Sequence, residues 1–344
     1  MRQERDPLGA MEVPDEAYYG IQTMRAVENF PVTGRREPAE LVRAYALLKQ
    51  AAALANLEIG ALDRPRGEAI AAAAAEVAAG KFADQFPVDV FQAGAGTSFN
   101  MNVNEVIANR ALEVLGRRRG EYEFLGPNDH VNLSQSSNDT FPSASHLAVI
   151  GEADRLLDRL RALALALERK GEEFRAFPKT GRTHLMDALP VTLGDEFRAY
   201  GSAVTRSAMR IRERRNGLLE IPLGGTATGT GAGSPPGFRD TVIRHLSRLT
   251  GLPLFSALDS LEALQSRSQM AAFSGALREL AQELVRIAND LRLMGSGPTS
   301  GLDEIVLPAV QPGSSIMPGK VNPVMAECLD MVGFQVIGND AALS

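Results

Sequence analysis

The stretch ASHLAVIGEADRLLDRLRALALALERKGEEF, residues 144–174, constrains the fold more than any other part of the sequence. Leu147, Ile150, Ala153, Leu157, Leu160 and Leu167 recur near one helical stripe. A helix of about thirty residues is roughly 45 Å long and needs apolar partners along its whole length. Two further segments supply them. VTLGDEFRAYGSAVTRSAMRIRERRNGLLE follows Pro190, and SLEALQSRSQMAAFSGALRELAQELVRIANDLRLMGSG is read as one helix, capped by Ser260 and stopped at Gly295. A fourth helix is expected from Pro323 toward Ile337. Alanine and other small residues on several faces point to helices buried on more than one side, and so to association of subunits.

Upstream, a helix is expected from Pro38 through EPAELVRAYALLKQAAALANLEIGAL, with Leu41, Ala44, Leu47, Leu48 and Ala51 on one face. A second, alanine-rich helix ends at Gly80. Residues 83–103 read as a polar loop, with helix resuming from Asn104 to Arg118, and the first thirty or so residues read as irregular. Few segments alternate with period two, so the expected class is all-α. The expected organisation is an N-terminal, mainly helical domain over 1–133 followed by a central long-helix bundle over 134–344.

The net charge of -6 lacks the basic excess that nucleic-acid binding needs. No apolar run reaches the length of a membrane span, and the charged start MRQERDPLGA lacks a signal core. Cys328 is the one cysteine, which excludes an internal disulfide and suits a reducing cytoplasm. His130, His146, His184 and His245 are dispersed without metal-ligand spacing, and no nucleotide cradle motif occurs. Neither a metal nor an organic cofactor is implied.

The chemistry is expected in four polar, glycine-bearing stretches at helix junctions: GAGTSFNMNVNE (94–105), SQSSND (134–139), KTGRTHLMDALP (179–190) and PGSSIMPGKVNP (312–323). Each alone fits ordinary helix capping. Together they offer neutral donors at helix N-termini, where backbone N–H groups and the helix dipole attract anions. Thr97, Ser136, Ser137, Asn138, Thr183, Lys320 and Asn322 would suit a small dicarboxylate, and a loop bearing Ser314 and Ser315 could close over it. The basic residues are mostly arginine, so Lys320 in a glycine-proline loop stands out. A compact ammonium fits a small site that a guanidinium fork would crowd.

GSSIMPGKVNP, residues 313–323, resembles the signature of the class II fumarase–aspartase branch of the fumarase/aspartase superfamily. NMNVNEVIANR, SQSSNDTFP, GRTHLMDALPVTLGDEF and LGGTATGTG match it in the family's order, and the resemblance spans essentially the whole chain. It implies an all-α homotetramer with each active site built from three subunits, and reversible anti elimination yielding fumarate. By this resemblance Ser314 is the base, with His184 as the rival. Thr97, Ser136, Ser137 and Ser315 would hold the carboxylate next to the proton removed. Thr183, Lys320 and Asn322 would hold the other, and Asn138 and His184 would lie near the leaving group. Glu327 corresponds to the carboxylate that pairs with the histidine.

EVPDEAYYGIQT, DQFPVDVFQAGAGTSFNMN and LGDEFRAY, with Ser98 where fumarases usually carry Gln, resemble the aspartase side. Ser137 in SQSSND resembles the fumarase side, and TGTGAGSPPGF lacks the Leu-Asn common to both. The expected reaction is therefore loss of ammonia from L-aspartate, with hydration of fumarate as the alternative. A third expectation comes from the end of the sequence. Members of the resembled branch continue past IGND into another long helix and a small helical domain, so an incomplete, inactive bundle is the reading from another class.

Overall fold

The computed structural model describes residues 1–344 and is rich in helix. Ten α-helices run in chain order: α1 (Ile21–Asn29), α2 (Ala39–Glu58), α3 (Arg64–Ala78), α4 (Thr97–Val114), α5 (Ser137–Glu173), α6 (Leu193–Gly217), α7 (Phe238–Thr250), α8 (Ser260–Gln265), α9 (Ser268–Met294) and α10 (Val324–Leu343). None is long and apolar enough to cross a membrane. The all-α expectation needs amending, because three two-stranded sheets are present. They are the antiparallel hairpins β1 (Arg2–Asp6) with β2 (Gly9–Val13) and β3 (Pro178–Thr183) with β4 (Met186–Thr192), and the parallel pair β5 (Glu220–Ile221) with β6 (Phe255–Ser256). Strands this short carry too few alternations to register as a period.

The expected long helices form, with shifted ends. α4 starts at Thr97 rather than Asn104, because Gly96 (φ +67°) turns the chain into it. A Cβ at Gly96 would lie 1.9 Å from Phe141 Cδ2, so the position accepts nothing larger. The single helix expected from Ser260 is two: Ser266 is extended (ψ 140°), and the N-cap is Asp259, whose side chain accepts from Leu261 N and Glu262 N. α7 was not anticipated.

α1 and the first hairpin, read as irregular, are held by distant residues. Glu105 of α4 is fully buried and accepts from the amides of Gly20, Gln22 and Thr23 and from the Thr23 hydroxyl. Glu4 accepts from Ile21 N. These carboxylates replace the side-chain cap that α1 itself lacks. Burial pushes the Glu105 carboxyl up to about 7.

The chain forms two compact units, each discontinuous: Met1–Gly151 with Leu218–Arg267, and Glu152–Gly217 with Ser268–Ser344. The expected boundary at 133/134 differs from this division. Residues 218–267 join the N-terminal unit because α7 packs on α2 and because Asp139 binds the loop at Gly224 and Thr226. That unit is built by α2 against α3 and α7, with α3 and α1 on α4. In the other unit α9 packs against α6 and α10.

Candidate active-site loops

In the first unit the expected residues gather at two helix N-termini. Thr97 opens α4, Ser137 opens α5, and their hydroxyl oxygens are 3.2 Å apart. Thr97 donates to Gly94 O, Asn138 N donates to the Ser136 hydroxyl, and Asn138 Nδ2 donates to Ala227 O. The positive dipole ends of two long helices thus meet a pair of hydroxyls, which is a chemical preference for a carboxylate.

The segment is locked by Asp139, which the site list from sequence omitted. Its Oδ1 accepts from Ser136 N at 3.0 Å, closing a capping box. Its Oδ2 accepts from Gly224 N and Thr226 N at 3.0 and 2.9 Å. The carboxylate is fully buried, and burial pushes it up to about 6. The Ser-x-x-Asp spacing in SQSSND was the available signal.

In the second unit, the loop carrying Ser314, Ser315, Lys320 and Asn322 closes on itself. Gly313 N donates to Lys320 O at 2.7 Å, and Asn322 Nδ2 donates to Gly313 O at 2.9 Å. A Cβ on Gly313 would sit 2.8 Å from Asn322 atoms, so glycine is what permits this closure. Within the loop the Ser314 hydroxyl accepts from two backbone amides, Ile316 N at 3.2 Å and Met317 N at 3.1 Å. Two N–H dipoles aimed at one oxygen favour its ionised form. The exposed Lys320 ammonium makes no side-chain hydrogen bond or ion pair within the chain, so its charge is uncompensated.

Thr183 and His184 lie at the tip of the β3–β4 hairpin. Thr183 pairs with Met186, leaving His184 (φ +55°) and Leu185 (φ +61°) as the two-residue turn. Such turns ordinarily take Asn-Gly, and non-glycine residues at positive φ cost about 1–3 kcal/mol each. The other three histidines are committed: His130 accepts from Gly126 N, His146 meets the carbonyls of Leu218 and Glu220, and His245 pairs with Glu58. His184 alone has no hydrogen bond within the chain and is exposed. Glu327, expected beside it, sits in the first turn of α10 with Arg292 of α9 at 3.9 Å. Within the chain its partner is therefore this arginine, because α10 packs along α9 rather than on the hairpin tip.

The hairpin stem is clamped by Glu304, also absent from the expected list. It accepts from Lys179 at 2.6 Å and from two nitrogens of Arg182 at 2.6 and 2.9 Å. Arg182 and Lys179 together hold its carboxyl down at about 2. A depressed carboxyl stabilises the fold above its unfolded value, near 4.3, and that contribution fades as pH falls toward 2. Glu304→Gln should therefore cost roughly 3 kcal/mol above pH 5, and the gap from the parent should shrink steadily on acidification. Urea unfolding at pH 7, 5 and 3 measures it. A gap that is independent of pH would contradict the clamp.

The chain matches the family model described as Lyase over residues 9–338. It is 50% identical to an aspartate ammonia-lyase of Bacillus sp over 344 residues, covering 100% of this chain and 74% of that protein. It is 49% identical to a fumarate hydratase class II of Thermosynechococcus vestitus, covering 99% of this chain and 73% of the relative. Among solved structures, a fumarate lyase:delta crystallin from Brucella melitensis aligns with a TM-score of 0.97 at 49% identity, covering 99% of this chain and 75% of that one.

Proposed function

We propose that this chain, which belongs to the fumarase/aspartase family of lyases, eliminates ammonia from L-aspartate to give fumarate. The observation that carries the reading is the Ser314 hydroxyl under two amide donors, in a loop that also holds an unpaired Lys320. A C–H beside a carboxylate is very weakly acidic, so the base must be strong and the developing charge must be met by donors already in place. Ionised Ser314 takes the proton, and the electron pair it leaves spreads onto the adjacent carboxylate as an enediolate-like dianion. That pair then forms the double bond as the C–N bond breaks. The substrate amine is protonated at neutral pH, so it departs as neutral ammonia.

In this reading Thr97, Ser136, Ser137 and Ser315 hold the carboxylate beside the carbanion. Thr183, Lys320 and Asn322 hold the other, with Asn138 and His184 near the leaving group. The clusters come from separate copies of a homotetramer, three copies contributing to each site, and there Glu327 of α10 orients His184. Exposed apolar side chains on α10, including Phe334 at 60% and Met331 at 63%, support association. The substrate and product are small dicarboxylates in a cytoplasmic enzyme.

Ser137 favours a second reading, hydration of fumarate to L-malate. In its reverse direction, from L-malate, the departing hydroxide must be protonated, and His184, free of internal partners, would be the donor. Fumarate formation from L-aspartate and from L-malate, measured on the same preparation, separates the two. Turnover of aspartate well above malate is expected; turnover of malate alone would transfer the assignment to the hydratase.

A further inference from the structure

Lys49 is fully buried in α2, and its ammonium faces two amide side chains rather than a carboxylate. It donates to Asn132 Oδ1 at 2.9 Å and to Gln135 Oε1 at 3.0 Å. Burial brings it down to about 7, with Asp139 opposing that shift. Removing an ammonium from water costs several kcal/mol, and neutral amide oxygens repay only part of it. Its contacts therefore offset the burial cost only in part, which points to a role beyond filling space.

Its neighbours on the helix show what it serves. Tyr45, Lys49, Ala52 and Asn56 follow the spacing i, i+4, i+7, i+11, which is one face of α2, and all four are fully buried. Tyr45 is hydrogen-bonded to Thr140 Oγ1 at 2.8 Å. Asn56 donates to Leu133 O at 3.0 Å and accepts from the Ser134 hydroxyl at 2.8 Å, at a residue held at φ +67°. Lys49 takes Asn132 and Gln135. The face thus grips residues 132–135 on one side of Ser136–Asn138 and Thr140 on the other. Gln135, joined directly to Ser136, spends its amide nitrogen on Val131 O and Leu133 O. Its oxygen is fixed by Lys49 alone. Asn132 Oδ1 also gathers Asn100 and Asn104 Nδ2 from α4, the helix that begins at Thr97. One ammonium therefore ties together the supports of both helix ends that carry the Thr97–Ser137 hydroxyl pair.

We infer that Lys49 is the positioning residue of the Ser136–Asn138 carboxylate-binding segment, acting through Gln135 and Asn132 and touching no substrate. This rests on the proposed lyase reading. Lys49→Met keeps most of the length and removes the charge and its donors. The full-length variant is expected to bind succinate, a non-reacting dicarboxylate, at least about tenfold more weakly by calorimetry. KM should rise with a smaller change in kcat, and amide exchange across 133–138 should quicken.

A lysine serving structure alone would lower the urea midpoint and leave KM unchanged; that result overturns the inference. So does parental succinate affinity and exchange in the variant. If Lys49→Met does not fold, Gln135→Met reads the same link, with the same loss of affinity and protection expected and parental values overturning it. Should the parent form fumarate from neither L-aspartate nor L-malate, the lyase reading fails by itself. The exchange measurement then still decides whether Lys49 holds the segment.

Discussion

Ser314→Ala is expected to lower fumarate formation by about a thousandfold while KM stays within a few-fold of the parent. The substitution removes the oxygen on which two amide dipoles converge and leaves the closure of the loop, from Gly313 to Lys320 and Asn322, untouched. Ground-state binding is assigned to other groups, so the loss should fall on kcat. His184→Ala is the control. If Ser314→Ala retained nearly full activity while His184→Ala lost it, the base would be the histidine, and the amides on Ser314 would be a loop-stabilising device. Measuring both variants with L-aspartate also separates the roles, since a residue near the leaving group matters less when the amine needs no further proton to depart.

The second large effect is on stability. Asp139→Ala should cost about 4 kcal/mol, because Ser136 N, Gly224 N and Thr226 N would all lose their acceptor inside the protein. No neighbouring acceptor replaces a carboxylate that spans the start of α5 and the 224–226 loop. Asp139→Asn should fall between the two, keeping one acceptor oxygen but turning an amide donor toward backbone donors. The midpoint of urea unfolding reports the loss. An unchanged midpoint in the alanine variant would mean that water enters and satisfies these amides, and the carboxylate would cease to be the keystone of the segment.

The local geometry of the candidate loops depends on residues close in sequence. SQSSND reads as part of a polar loop with the long helix beginning at Ala144; its Ser-x-x-Asp spacing is a capping box that starts α5 at Ser137 instead. GSSIMPGKVNP needs its glycines and prolines for a closed loop, and the structure closes it with contacts between residues a few positions apart. Lys49 was passed over for a comparable reason. It lies in a helix of alanines and leucines, where a lysine reads as a solvated interruption, and only its packing against residues 132–135 reveals a buried ammonium. Glu304 gave no local signal at all, since both of its cationic partners lie more than a hundred residues earlier.

The sequence by itself determined that long helices dominate and roughly where most of them lie, and it singled out the polar junctions between them. Those properties follow from side-chain periodicity and from the backbone demands of helix ends, both of which act within a few residues. Tertiary structure alone decided that residues 1–30 are ordered, through Glu4 and Glu105 standing in for a missing cap. It also decided that 218–267 belongs with the N-terminal unit, that His184 is the histidine left unpaired, and that Glu327 faces Arg292. Each of these depends on which distant side chain reaches a given donor or acceptor. Nothing in local periodicity encodes that choice, because it is made by the packing of helices already formed.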